Sequence, residues 1–259
     1  MTSNNELMIF VRTKKNKSIM SIKIELCAAS IEAIEIARKL NIDRIELCQD
    51  LEQGGLTPSA GLIQYAISKD IETHVLIRPR AGGFNYSDLE LEVILNDIQI
   101  AKKLGAKGIV VGVLKANFEL DISSLEKITA ISEGLELTFH RAFDESIDWK
   151  KSIDALIELG FNRILTSGFA SNVEIGFENL KRMVEFAENQ IEIMPGGGIN
   201  AANIAKIINE ISPKSIHFSG TVKSILDEDS LFSETILKVE EKRVERILDC
   251  IKKQPITKN

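Results

Sequence analysis

Cysteine, histidine and tryptophan are scarce in this 259-residue chain, at three, three and one. Three cysteines cannot staple a chain of this length, and none falls in a CxxC or Cys/His spacing. A disulfide scaffold and a structural zinc module are therefore excluded. No apolar run approaches the ~18 residues that a spanning helix needs. The apolar stretch Leu7 to Val11 is short, and positive charge (Arg12, Lys14, Lys15, Lys17) follows it rather than preceding it, the reverse of a secretory leader. An excess of basic residues is also missing. The 32 Lys and Arg are outnumbered by 38 Asp and Glu, for a formal net charge of −6, which argues against broad phosphate neutralisation on nucleic acid. These absences predict a cytoplasmic chain with no membrane and no nucleic-acid partner.

What is present is a regular alternation. Hydrophobic residues make up 44% of the chain, enough for one large core. Short runs rich in Ile, Val and Leu at 22–27, 43–48, 73–78, 107–113, 135–140, 162–167, 190–194 and 215–219 read as strands. Each is followed by a stretch of helical period, such as Ala33, Ile36, Ala37 and Leu40, or Val244, Ile247, Leu248 and Ile251. Thr57-Pro58, Ser87 with Glu90, and Ser123 with Glu126 supply helix starts, and Leu104-Gly105 and Leu159-Gly160 supply stops. Strands alternating with helices imply parallel pairing through right-handed crossovers. Eight such units match an α/β (β/α)8 TIM barrel. A doubly wound open sheet would carry a Gly-rich first turn, whereas Cys27-Ala28-Ala29-Ser30 has no glycine. We expect a single barrel domain over residues 21–254, a loosely docked extension over 1–20, and a solvated tail over 255–259.

Alternation along the strands locates the chemistry. The first two strands share a tetrapeptide, Ile24-Glu25-Leu26-Cys27 and Ile45-Glu46-Leu47-Cys48. If Ile and Leu face the helices, Glu and Cys face the interior. The same register turns Arg78, His140, Thr166, His217 and Ser219 inward near the C-terminal strand ends, and all three histidines (His74, His140, His217) are inward. Buried charge must be paired or stay wet, so Arg78 is expected to neutralise Glu25 and Glu46. Such a set is either a filling ion-pair network or a pocket at the C-terminal mouth, where barrel sites sit.

The loops after the strands add three features. His140, Arg141 and Asp144 form a cluster able to exchange a proton and hold a carboxylate or phosphate, or else a salt-bridged loop clamp. Thr166-Ser167-Gly168, Gly196-Gly197-Gly198 and Ser219-Gly220 suit an anion cradled by backbone N–H groups, or tight turns that need glycine. Cys27 and Cys48 lie on neighbouring strands ~4.8 Å apart. They suit a soft monovalent ion such as Cu(I), a reversible disulfide, or two small wall positions.

Taken in order, these segments resemble the copper homeostasis protein CutC family from about Ile22 onward. The matching stretches are Ile24–Ser30, Asp43–Cys48, Gly54–Ser59, Ile77-Arg78-Pro79-Arg80, Thr138–Asp144, Leu165–Gly168 and Met194–Gly198. The resemblance implies a TIM barrel, a cytoplasmic role in copper handling, Cys27 and Cys48 as Cu(I) ligands, no organic cofactor, and a homo-oligomer in some members. Two loop positions depart from the family pattern. The usual Asp before Phe84 is Gly83, and the usual Glu before Gly54 is Gln53, so no role passes to acids there. The competing expectation is a lyase, isomerase or aldol-type enzyme acting on a small anionic or phosphorylated metabolite. It would use Glu25, Glu46, His140 or His217 for proton transfer, Arg78 and Arg141 to hold the anion, and Asp144 to orient them.

Overall fold

The structure is a computed structural model that describes residues 22–226 and 234–254. The expected extension over 1–20 and tail over 255–259 lie outside the described residues.

Eight short strands form the inner wall: β1 (Lys23–Ala28), β2 (Arg44–Leu47), β3 (Glu72–Leu76), β4 (Gly108–Val111), β5 (Glu136–Phe139), β6 (Arg163–Thr166), β7 (Glu192–Pro195) and β8 (Ser215–Phe218). Helices α1 (Ile31–Lys39), α2 (Ala60–Ile67), α3 (Asp88–Leu104), α4 (Ile122–Ile131), α5 (Trp149–Glu158), α6 (Phe177–Ala187) and α7 (Ile204–Ile211) follow the first seven. The strands are parallel in the order β7-β6-β5-β4-β3-β2-β1-β8. Strands β7 and β8 lie side by side without a backbone ladder, so the ring is laced everywhere except at that seam. This is the expected TIM barrel. Among the described residues, no helix is long and apolar enough to cross a membrane.

One element was not foreseen. An antiparallel hairpin, β9 (Thr221–Leu226) and β10 (Glu234–Val239), stands between β8 and the last helix α8 (Glu241–Lys252). Its strands mix Val, Ile and Leu with lysine, glutamate and hydroxyl residues, so they lack the apolar runs that marked the barrel wall. Helix boundaries follow local hydrogen bonding. Ser87 and Glu90 do form the reciprocal capping box of α3, and Gly105 ends that helix at φ 104°. Ser59, not Thr57, caps α2, and Asp121, not Ser123, caps α4. In each case that side chain accepts from a backbone N–H three residues on, which the displaced candidate does not.

The helix-facing residues of the strands and the inner stripes of the helices form one continuous apolar core that includes Leu26, Ile45, Leu47, Val75, Ile109 and Ile216. Alternation therefore puts the opposite set inside the barrel, and there it is charged. Arg44 is fully buried and ion-paired to fully buried Glu25, with its Nη1 3.5 Å from Glu72 Oε1. Below, towards the N-terminal strand ends, Arg163 bonds Glu192 at 2.8 Å, Glu136 at 3.1 Å and Thr138 Oγ1 at 3.0 Å. His74 belongs to this lower layer, with Nε2 3.3 Å from Glu72 Oε1, and so sits away from the mouth.

The expected partnership of Arg78 with Glu25 and Glu46 does not form. Arg44 lies in register with Glu25 on the neighbouring strand and reaches it directly. Arg78, one strand further round and higher, bonds loop carbonyls instead.

Removing one member of a buried ion pair strands the other, at about 3–5 kcal/mol. Arg44→Met is therefore expected to lower Tm by roughly 10 °C, and Arg44→Met with Glu25→Leu to recover most of that loss. Scanning calorimetry of the two variants checks the order.

Candidate functional site

The C-terminal ends of the strands surround an open cavity of about 1230 Å³, lined among others by Cys27, Glu46, Arg78, His140, Arg141 and His217. Its floor comes from β1, β2 and β8. Cys27 pairs in register with Glu46, and Glu25, one pleat lower, pairs with both Arg44 and His217. His217 Nδ1 donates to Glu25 Oε1 at 2.7 Å. Ligating atoms of Cys27, Glu46 and His217 all lie within 4.8 Å of one another. Cys27 Sγ stands 3.7 Å from Cys48 Sγ and 3.9 Å from Glu46 Oε1. Gly55, in the loop that follows β2, packs closely against Cys48. A Cβ there would come within 2.7 Å of Leu76 Cδ2 and 3.4 Å of Cys48 Cβ, at a φ of +88°.

The floor is polarised by these contacts. Burial alone would raise the Glu25 carboxyl pKa, but the His217 hydrogen bond and the Arg44 charge outweigh it and hold the group well below the carboxylate range. Glu46 goes the other way. Burial, reinforced by the Glu25 charge, lifts it to about 7 against the pull of His217 and Arg44. His217 is desolvated as well, yet the charge of Glu46 and its hydrogen bonds to Cys27 and Glu25 raise its pKa well above the usual imidazole value. The Cys27 thiol is pushed up by its contact with Cys48 and by burial. At neutral pH the floor thus holds an imidazolium clasped by a carboxylate, a second carboxyl near its midpoint, and the protonated Cys27 thiol. Glu46 Oε2 is buried without a hydrogen-bond partner.

The wall from β3 to β5 is different. Arg78 is buried, with no carboxylate at ion-pair distance among the described residues. It donates to the carbonyls of Gln53 at 2.7 Å, Gly55 at 2.9 Å and Gly82 at 2.8 Å, clipping two loops together, and lies over the Phe84 ring at 5.2 Å. Phe84 also meets His140, ring centroids 4.9 Å apart. His140 Nδ1 accepts from the Ala142 N–H at 3.1 Å, leaving Nε2 buried and unpaired. Burial and the nearby Arg78 charge depress this imidazole to about 3, so it stays neutral and serves as a hydrogen-bond donor rather than a base.

The loop cluster after β5 is a clamp. Asp144 accepts from the N–H groups of Ser167 and Phe169, each at 3.1 Å, from Ser167 Oγ at 2.9 Å and from Thr166 Oγ1. Arg141 Nε donates to Asp144 at 2.9 Å, and its Nη2 to Ser167 Oγ at 2.7 Å and Ala170 O at 3.1 Å. The Gly168 N–H donates to Thr166 Oγ1, and a Cβ on Gly168 would collide with Gly176 O. Thr166, Ser167 and Gly168 are therefore engaged by the protein's own carboxylate and by close packing. Gly196 gives its N–H to Thr166 O. Gly197, Gly198, Ser219 and Gly220 remain on the cavity wall. Between Gly198 and α7, which begins at Ile204, the chain makes a turn in which the Asn200 N–H donates to Asn203 Oδ1 at 2.9 Å.

The sequence profile of the CutC family matches residues 22–222. A family protein CutC of Glaesserella parasuis is 43% identical over 212 residues, covering 81% of this chain and 87% of that one. The chain belongs to the CutC family. The solved structure of CutC from Streptococcus agalactiae, named for a proposed role in copper homeostasis, superposes with a TM-score of 0.73 at 40% identity over 77% of this chain and 99% of that one. A phosphoribosylanthranilate isomerase from Pyrococcus furiosus, at 14% identity, covers 90% of this chain and 99% of its own with a TM-score of 0.53, and shares the fold alone.

Of the residues singled out in the sequence, Cys27, Cys48, Glu25, Glu46 and His217 meet at one floor, Arg78 and His140 face it from one wall, and Arg141 and Asp144 lock the loop above. Arg44 was overlooked. The signal was available, because Arg44 and Glu46 are two apart on one strand and share its inward face. Arg243 and Arg246 of α8 also line the cavity and carried no motif.

A carboxyl raised when folded stabilises the fold while protonated and loses that contribution as pH climbs. For Glu46 the window runs from its ordinary 4.5 to about 7. Relative to Glu46→Gln, the unmodified protein should lose on the order of 3 kcal/mol of stability between pH 4.5 and pH 8. Urea unfolding of both proteins across that range checks it, and parallel curves would contradict it.

Proposed function

We propose that the chain binds Cu(I) between Cys27 and Cys48 at the barrel floor and serves copper homeostasis in the cytoplasm. The observation that carries this reading is the thiol pair itself: two unbridged sulfurs 3.7 Å apart, with Cys27 reaching the cavity wall. Soft thiolates favour Cu(I) over harder divalent ions. The donor set fits, because His217 and the unpartnered Glu46 oxygen stand beside Cys27. Ligation requires thiolates, so Cu(I) uptake must release protons. Glu46, 3.9 Å from Cys27 Sγ and titrating near 7, is the adjacent acceptor. The name of the S. agalactiae relative points the same way.

A second reading has its own support. A carboxyl held near 7 beside an imidazolium, under a cavity far larger than an ion needs, suits proton transfer on a small organic anion. Here Glu46 is the base, His217 the positioning cation, and neutral His140 a donor to developing negative charge.

Anaerobic titration against a Cu(I) chelator should give one ion per chain. Cys27→Ser with Cys48→Ser should weaken binding by ~100-fold or more, beyond the usual loss from a supporting residue. Equal affinity in the double variant, or no binding by the unmodified protein, would reject the copper reading.

A further inference from the structure

Across the mouth from Arg78, the backbone changes character. Strands β7 and β8 share no ladder, and the turns that leave them keep unspent donors. The N–H groups of Gly197, Gly198, Ser219 and Gly220 have no hydrogen-bond partner among the described residues, and all four residues line the cavity. Gly197, Gly198 and Gly220 have φ of +96°, +84° and +60°, so this backbone shape depends on glycine. Such turns expose N–H groups in the way that anion-binding concavities do.

Cationic side chains close on the same corner from two directions. Arg141 lies against Gly197, where an added Cβ would be 3.1 Å from its Nη1. Its Nε and Nη2 are held by Asp144, Ser167 and Ala170, which fixes the guanidinium and leaves Nη1 unpaired among the described residues. From the opposite side α8 presents Arg243 and Arg246. Arg243 is steadied by the Thr221 carbonyl at 2.6 Å, and Glu240 lies 3.7 Å from its Nε. Asp144 is already saturated by four donors besides Arg141, and the other acids on the lining are Glu145 and, at the floor, Glu46.

We infer that this corner, formed by the Gly197-Gly198 and Ser219-Gly220 turns with Arg141, Arg243 and Arg246, binds the phosphate group of a small phosphate monoester. Four amides, Arg141 Nη1 and the remaining N–H groups of Arg243 and Arg246 offer more donors than the two oxygens of a carboxylate can accept, and they match the three terminal oxygens and double charge of a phosphate. The rest of the cavity leaves space for the organic portion to extend over Cys27, Glu46 and His217 towards Arg78. The assignment stands apart from the copper reading and supplies the second reading with its substrate class.

The test is calorimetric titration of the full chain with inorganic phosphate, glycerol 3-phosphate and glycerol. Both phosphates bind at one site per chain in the millimolar range or tighter, and glycerol does not. Arg246→Gln, on the exposed face of α8, weakens both phosphates by about tenfold or more, as loss of a charge-assisted hydrogen bond requires. Arg182→Gln on α6 leaves them unchanged, and Cys27→Ser with Cys48→Ser leaves inorganic phosphate, which has no organic portion to reach the thiols, unchanged even if copper binding is lost. Phosphate binding no stronger than glycerol overturns the inference. So does equal weakening by Arg182→Gln, or loss of phosphate binding in the cysteine variant, which would move the anion to the thiols.

Discussion

The Arg44–Glu25–His217 chain is the interaction on which the rest of this protein depends. Strand alternation forces whatever is not apolar into the barrel, and here that includes full charges in a space with little water. Glu25 sits between a guanidinium and an imidazole and stays ionised because both are in contact with it. Its fixed negative charge then acts twice. It helps keep His217 protonated, and it makes a second ionised carboxylate on the next strand unfavourable, which contributes to the position of Glu46 near neutrality. The chemistry at the mouth is thus set from one pleat below it.

This arrangement also separates two kinds of polar residue that look alike in sequence. Arg78, His140, Arg141 and Asp144 all lie near strand ends, yet three of them are bound up in holding loops. Arg78 ties the loops after β2 and β3 through carbonyls, Asp144 gathers the amides after β6, and Arg141 braces Asp144. Their service is to keep the rim rigid over a floor whose protons are labile. His140, neutral and half-sandwiched by Phe84, belongs to the rim in structure and to the floor in exposure to the cavity.

Much of this was readable before any coordinates. Period-two alternation with apolar Ile and Leu determined which side chains of Ile24–Cys27 and Ile45–Cys48 point inward, and the eight-fold repetition determined the ring. The parts that were not legible share a cause. Which cation meets which carboxylate depends on register between strands, and register is a property of two segments that neither encodes alone. That is why Arg78 seemed the partner of Glu25 when Arg44 was level with it. The Thr166 hydroxyl and the Ser167 amide looked available because the Asp144 carboxylate that occupies them arrives from a loop some 22 residues earlier. The hairpin β9–β10 interrupts its Val, Ile and Leu with Lys223 and Lys238, so no apolar run like those of the barrel wall announces it. The contribution of Arg243 and Arg246 follows from where that hairpin delivers α8.

The seam between β7 and β8 carries a mechanical consequence. Seven of the eight junctions between neighbouring strands are stitched by backbone bonds. The eighth is held by side chains such as the His217 ring packed under Gly196. A closed cylinder yields at its unstitched joint first, since widening there breaks no peptide hydrogen bond. The β1–β2 wall that carries the thiols and Glu46 is therefore stiff, while the joint beside His217 gives way first, and a guest entering the bore is accommodated by dilation at that one joint.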